Sequence, residues 1–187
     1  MNIEIITGSP RKESVSFRVA LYLKNYLSAN TEHRVNIIDV RDWKLPLLQE
    51  VFSSADNTPE EFKPLADRMF AADAFILVTP EFNGSYSPAL QNLLDHFPKQ
   101  SHKAFGIVTA STGAMGGIRA SQQLLLLIPG LFGIASPQML LTPLADKKFD
   151  REGNLLDPAF ERNITVFLRE FLWLATAVHP ELTAVYN

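Results

Sequence analysis

The chain has 187 residues, 47% apolar and 20% charged, with a formal charge of −3 and no cysteine. A protein of this length buries about 70% of the surface its unfolded chain exposes, so its core needs no disulfide or metal staple. The missing cysteines exclude disulfides, thiolate nucleophiles and Cys-ligated clusters, so any redox chemistry must be carried by a cofactor. The small net charge gives neither a basic footprint for nucleic acid nor a polybasic patch for a membrane. His33, His96, His102 and His179 have no ligand-like spacing, and no metal site is expected.

In chain order, Asn2 to Thr7 is isoleucine-rich and stops at Gly8, as a buried strand meeting a turn does. Ser14 to Leu27 carries apolar residues at helical spacing, with Ser14 or Ser16 as the N-cap. Arg34 to Val40 reads as a second strand, and the polar stretch from Asp42 to Thr58 as a surface loop. Pro59 to Ala72 predicts a helix with proline in its first turn and Glu60 and Glu61 near its positive end. Ala74 to Thr79 is continuously apolar, the mark of a central parallel strand. A helix over Pro88 to Phe97, a strand over Ala104 to Ala110 and an apolar helix over Gly117 to Ile128 follow. A weaker strand near Ile134 to Leu141 precedes a last helix within Leu155 to Val178, starting at Asp157.

Strands alternating with helices predict one α/β domain over residues 1–187, with a parallel sheet between two helical layers. Five strands favour the doubly wound order 2-1-3-4-5, which places a ligand beyond the carboxyl ends of strands one and three. The opening residues lack the features of a signal peptide, and Leu124 to Ala135 is too short to span a bilayer. A cytoplasmic location is therefore expected.

Three polar, Gly-rich loops follow strands one, three and four. Gly8 to Ser16 joins hydroxyls and the Arg11 guanidinium to a helix start, a combination suited to a phosphate monoester. It matches neither the GxGxxG nor the GxxxxGK[ST] pattern. Thr79 to Pro88 offers main-chain groups and two aromatics to a planar heterocycle, although Asn83-Gly84 is also an ordinary turn sequence. Ala110 to Gly117 holds three glycines that permit close backbone approach. Each loop alone has an everyday reading, as a capped helix, a turn or a mobile linker. Their convergence on one sheet edge is the stronger signal.

These residues resemble the NAD(P)H-dependent FMN reductase family, which includes quinone, chromate and azo-dye reductases. The resemblance lies in Gly8-Ser9-x-Arg11-x-x-Ser14-x-Ser16, in Pro80-Glu81-Phe82-Asn83 through Leu90, Asn92 and Asp95, and in Ser111-x-Gly113-x-x-Gly116-Gly117. It implies a flavodoxin-like fold in which Ser9, Arg11, Ser14 and Ser16, with Phe17 beside them, hold the FMN phosphate. Pro80, Glu81, Phe82, Asn83 and Gly84 would line the isoalloxazine, with Ser111, Thr112 and Gly113 at its far edge. Ser16 stands where the family has Asn, Phe82 where it has Tyr and His96 where it has Trp. The implied activity is ping-pong transfer of electrons from NADPH or NADH to a small acceptor such as a flavin, quinone, azo compound or metal oxyanion. The flavin carries the chemistry and no side chain need be catalytic. Glu81 is expected to be a solvated carboxylate, and His96 a solvated or capping residue, with a place facing the acceptor as the alternative. The resemblance also implies a homodimer or a dimer of dimers. A one-electron carrier and a flavin-free interaction module are the alternatives; the Arg11 loop and modest charge weigh against the first, the intact loops against the second.

Overall fold

The computed structural model describes residues 1–179. Five strand positions form a parallel sheet: β1 (Asn2–Thr7), β2 (Arg34–Asp39), β3 (Ala74–Thr79), β4 (Ala104–Ala110) and a last strand divided into β5 (Ile134–Ala135) and β6 (Leu140–Thr142), in the order β2-β1-β3-β4-β5 with β6 also on β4. Every residue of β3 and β4 is buried, since both lie inside the sheet with helices on each face. Register follows the apolar pattern: Ile5 pairs with Ile37 and Ile76, and Ile76 pairs with Gly106.

Helix α1 (Val15–Asn30) covers one face with the last helix, α6 (Glu161–Ala177), where Leu23, Phe167 and Phe171 meet Ile3, Ile5 and Val108. On the other face α2 (Lys63–Ala71), α3 (Pro88–Asp95) and α4 (Ile118–Gly130) bury Met69, Leu94 and Leu124 against Phe75, Leu77 and Phe105. The expected three-layer α/β architecture and strand order are both observed.

The differences from the expected elements have local causes. The predicted strand near Ile134 to Leu141 is broken into β5 (Ile134–Ala135) and β6 (Leu140–Thr142), which pair with opposite ends of β4. Pro137 lies in the gap and has no N–H to give to the ladder. The one-turn helix α5 (Ala145–Lys148) had no periodic signal. The expected loop from Asp42 to Thr58 forms no regular element, yet it sends Phe52 into the core against Phe62, Phe97 and His96. Asp157 starts the final helical segment as expected, accepting from Ala159 N at 3.2 Å, but the first turn is a 3₁₀ turn over Pro158–Phe160. Among the described residues no helix is long and apolar enough to cross a membrane.

Candidate cofactor site

Because β1, β3 and β4 are adjacent, the loops leaving their carboxyl ends stand side by side. The first begins at Gly8, whose N–H donates to the Val78 carbonyl at 2.8 Å and whose own carbonyl accepts from the Ser87 hydroxyl. A Cβ at Gly8 would lie 2.9 Å from Leu90 Cβ, so only glycine lets β1 end this close to α3. Ser14 then caps α1, its Oγ accepting from Phe17 N at 3.1 Å and lying 2.9 Å from Ser16 Oγ. Ser9, Ser14 and Ser16 are all buried.

The first turn of α1 contains no acidic residue. The N–H groups of Val15 and Ser16, at the first two helical positions, have no intrahelical acceptors, and no carboxylate on that turn neutralises the positive end of the dipole. Buried hydroxyls beside an uncompensated helix start have the donor chemistry a phosphate requires, so the residues present fit the group the resemblance implies.

Arg11 leaves this loop to lie over the Phe82 ring, with the guanidinium carbon 5.0 Å from the centroid. Two residues singled out in separate loops thus meet across the mouth of the site. Phe17 does not join them: its ring packs under the Arg41 guanidinium, 4.5 Å away. Arg41 is a residue that sequence reasoning missed. It grips Asp39 through Nε at 3.0 Å and donates to the Lys12 carbonyl at 3.0 Å, bracing the first loop from the end of β2. Hydrogen bonding to Asp39 raises the Arg41 pKa, so the brace stays charged. Its only sequence signal is the Asp39-x-Arg41 spacing at a strand end.

The second loop is a tight turn. Phe82 N donates to Ser85 O at 2.8 Å and Ser85 N to Phe82 O at 3.1 Å, with Asn83 and Gly84 at φ of +50° and +81°. Paired positive φ values are what a type I′ turn demands, and Asn-Gly supplies them. Thr79 Oγ1 donates to Pro80 O at 3.0 Å and accepts from Ser87 N at 3.2 Å, fastening both ends of the loop. Ser87 caps α3 through Leu90 N at 3.1 Å. Nearby, burial raises the pKa of Tyr86, whose hydroxyl bonds to Gln91.

Glu81 is not the solvated carboxylate expected. Its side chain is 18% exposed, and it accepts from Arg119 N at 3.0 Å, with Arg119 Nη1 3.4 Å away.

The third loop is tied down on several sides. Ser111 N donates to Thr142 O at 3.1 Å, Ala145 N to Ser111 O at 2.9 Å, and Thr109 Oγ1 to Gly116 O at 2.7 Å. Gly113 N donates to Ser111 Oγ at 3.0 Å. Gly116 and Gly117 take φ of +62° and +82°, and a Cβ on Gly117 would meet Thr109 Cβ at 2.9 Å. Thr112, Gly113 and Met115 remain exposed at the rim.

His96 lies apart from these loops and is 1% exposed. It is the C-cap of α3, as one of the two expectations had it, with Nδ1 2.7 Å from Asn92 O, but its ring tilts against Phe52 and is buried rather than solvated. A cavity of about 760 Å³ opens elsewhere, along the outer edge of β2. Its buried acids, Glu4 and Asp39, are already paired with Arg68 and Arg41.

The sheet order and the three loops at its switch point define a flavodoxin-like α/β protein. Solved structures share the architecture: a flavoenzyme NAD(P)H:(acceptor) oxidoreductase, FerB, from Paracoccus denitrificans, with a TM-score of 0.79 at 19% identity over 95% of this chain and 98% of that one; and a flavodoxin from Pseudomonas aeruginosa, with a TM-score of 0.57 at 19% identity over 92% and 99%. The sequence carries the assignment further. Residues 1–143 match the family model described as NADPH-dependent FMN reductase, and the chain belongs to that oxidoreductase family. A relative 31% identical over 179 residues, spanning 90% of this chain and 92% of its own length, is the FMN-dependent NADPH-azoreductase of Staphylococcus aureus.

Proposed function

We propose that the chain is an FMN-dependent NAD(P)H oxidoreductase that passes electrons to a small acceptor, as its azoreductase relative's name describes. The observation that carries this reading is the buried Ser9, Ser14 and Ser16 cluster at the uncompensated start of α1, beside two loops with main-chain groups and an aromatic face. Ser9, Ser14 and Ser16 with the Val15 and Ser16 amides would hold the phosphate, and Arg11 would swing from Phe82 to add charge. Pro80 to Gly84 would line one edge of the ring, and Ser111 to Gly113 the other. Phe17 would act indirectly, by seating Arg41. When bound, FMN would supply the redox chemistry, exchanging electrons between NAD(P)H and a flavin, quinone, azo compound or metal oxyanion in ping-pong fashion.

The chain's own part is to bind, orient and screen. Phe82 keeps an aromatic surface without a hydroxyl, and the exposed rim at Thr112 and Met115 leaves room for a second ligand to approach. A homodimer belongs to this reading, because Met115 at the rim of the site and Leu126 and Phe132 toward the far end of α4 expose apolar surface. So does a cytoplasmic location, where NAD(P)H is supplied.

The test is an absorbance spectrum of the purified protein loaded with FMN, taken anaerobically before and after NADPH. The reading expects a flavin band that bleaches with NADPH and returns when a quinone or azo dye is added. Absence of NADPH or NADH oxidation by the loaded protein across these acceptors would refute it.

A further inference from the structure

Helix α4 begins without a cap of its own. Its N-cap is Gly117, which has no side chain and makes no capping bond. The first-turn N–H of Arg119 is satisfied from another loop, by Glu81 Oε2 at 3.0 Å. A carboxylate at a helix start is favoured by the exposed N–H groups and by the dipole together. Glu81 lies close to this helix start, its Cβ 3.7 Å from where a Cβ on Gly117 would stand, an ordinary contact distance. The Arg119 guanidinium is 68% exposed and 3.4 Å away, so the ion pair itself contributes little. The backbone bond is the tie.

We propose that Glu81 is a positioning residue, which caps α4 across the site and thereby sets the gap between the second and third loops. The proposal rests on the FMN reading above, because that gap is where the ring would lie. Glu81 sits between Pro80 and Phe82, and Arg119 follows directly on the glycine loop, so one hydrogen bond fixes both walls relative to each other. Without it the first turn of α4 frays, and the binding-competent arrangement becomes only partly populated. Affinity for any ligand between the walls then drops by that fraction.

The test is FMN titration of apo-protein by quenching of flavin fluorescence, with visible circular dichroism of the bound flavin. Variants are Glu81→Gln, which keeps an oxygen acceptor, Glu81→Ala, which removes it, and Arg119→Ala, which keeps the backbone N–H but removes the guanidinium. Loss of a cap of ordinary strength predicts that Glu81→Ala raises the FMN Kd about fivefold to tenfold and alters the dichroism band. Arg119→Ala should stay within about twofold of wild type, and Glu81→Gln, which keeps the acceptor but loses the charge, should fall between wild type and Glu81→Ala. Wild-type affinity in Glu81→Ala would overturn the proposal, as would an equal loss in Glu81→Gln or Arg119→Ala. If wild type itself binds no FMN, the underlying reading fails instead. Amide exchange on the wild type needs no variant: Arg119 N–H must be protected like Ser121 N–H, which bonds to Gly117 O, and free exchange at Arg119 would also refute the cap.

Discussion

Ser87 joins the first two loops, and its removal should be costly in a way that can be calculated. The hydroxyl is fully buried, donates to the Gly8 carbonyl and accepts from Leu90 N. Ser87→Ala loses the α3 cap, about 1 kcal/mol, and strands a buried carbonyl, about 1–3 kcal/mol, giving about 2–4 kcal/mol in total. Ser87→Gly separates the two effects, because glycine is a tolerable N-cap and keeps the loss near the carbonyl's about 1–3 kcal/mol. Urea unfolding measures both, provided the slope against denaturant is unchanged from wild type. FMN affinity should fall in both variants, since Gly8 leads directly into the loop proposed to hold the phosphate. A loss below about 1 kcal/mol for Ser87→Ala would mean that water or another donor serves the Gly8 carbonyl, and the claim that Ser87 fastens the two loops would be wrong.

Three further outcomes are expected. Arg41→Ala should weaken FMN binding and cost about 1–3 kcal/mol in urea unfolding, less than for a wholly buried pair because the guanidinium is 25% exposed. Adding Asp39→Asn should recover part of that stability, and a double variant worse than the single would contradict the pairing. Gly117→Ala should destabilise by at least about 1–2 kcal/mol, since its φ is left-handed and the new Cβ meets Thr109; a neutral result in thermal unfolding would show that the loop can relax. Asp157 has a pKa lowered chiefly by its hydrogen bond from Lys148, so its contribution is complete above the ordinary value of 3.8 and disappears as pH falls through the lower folded value. The stability gap between wild type and Asp157→Asn should therefore shrink below pH 3.8, and a gap that widens there would reverse the sign.

The sheet was legible because its central strands are unambiguous. Ala74 to Thr79 is apolar up to its last residue and Ala104 to Ala110 is apolar but for Thr109, and both are observed at those limits. The last strand was misjudged because Pro137 breaks a ladder that composition alone makes continuous. Within the site, residues whose signal is local were found, such as the Ser14 cap and the Asn83-Gly84 turn. Bonds between residues distant in sequence were not. Arg41 reaches back to Lys12, Ser87 to Gly8, and Glu81 across to Arg119, and no spacing rule encodes such bonds. His96 caps α3 as expected, but its burial was missed for the same reason: it depends on Phe52, which arrives from a loop without periodicity.

The central claim is that a phosphate is held where β1 gives way to α1, and a paired calorimetric titration with FMN and riboflavin tests it most directly. Two or more charge-assisted hydrogen bonds at about 1.5 kcal/mol each predict that FMN binds at least about a hundredfold more tightly than riboflavin. Equal affinity for the two, or no association with FMN at all, would contradict the account.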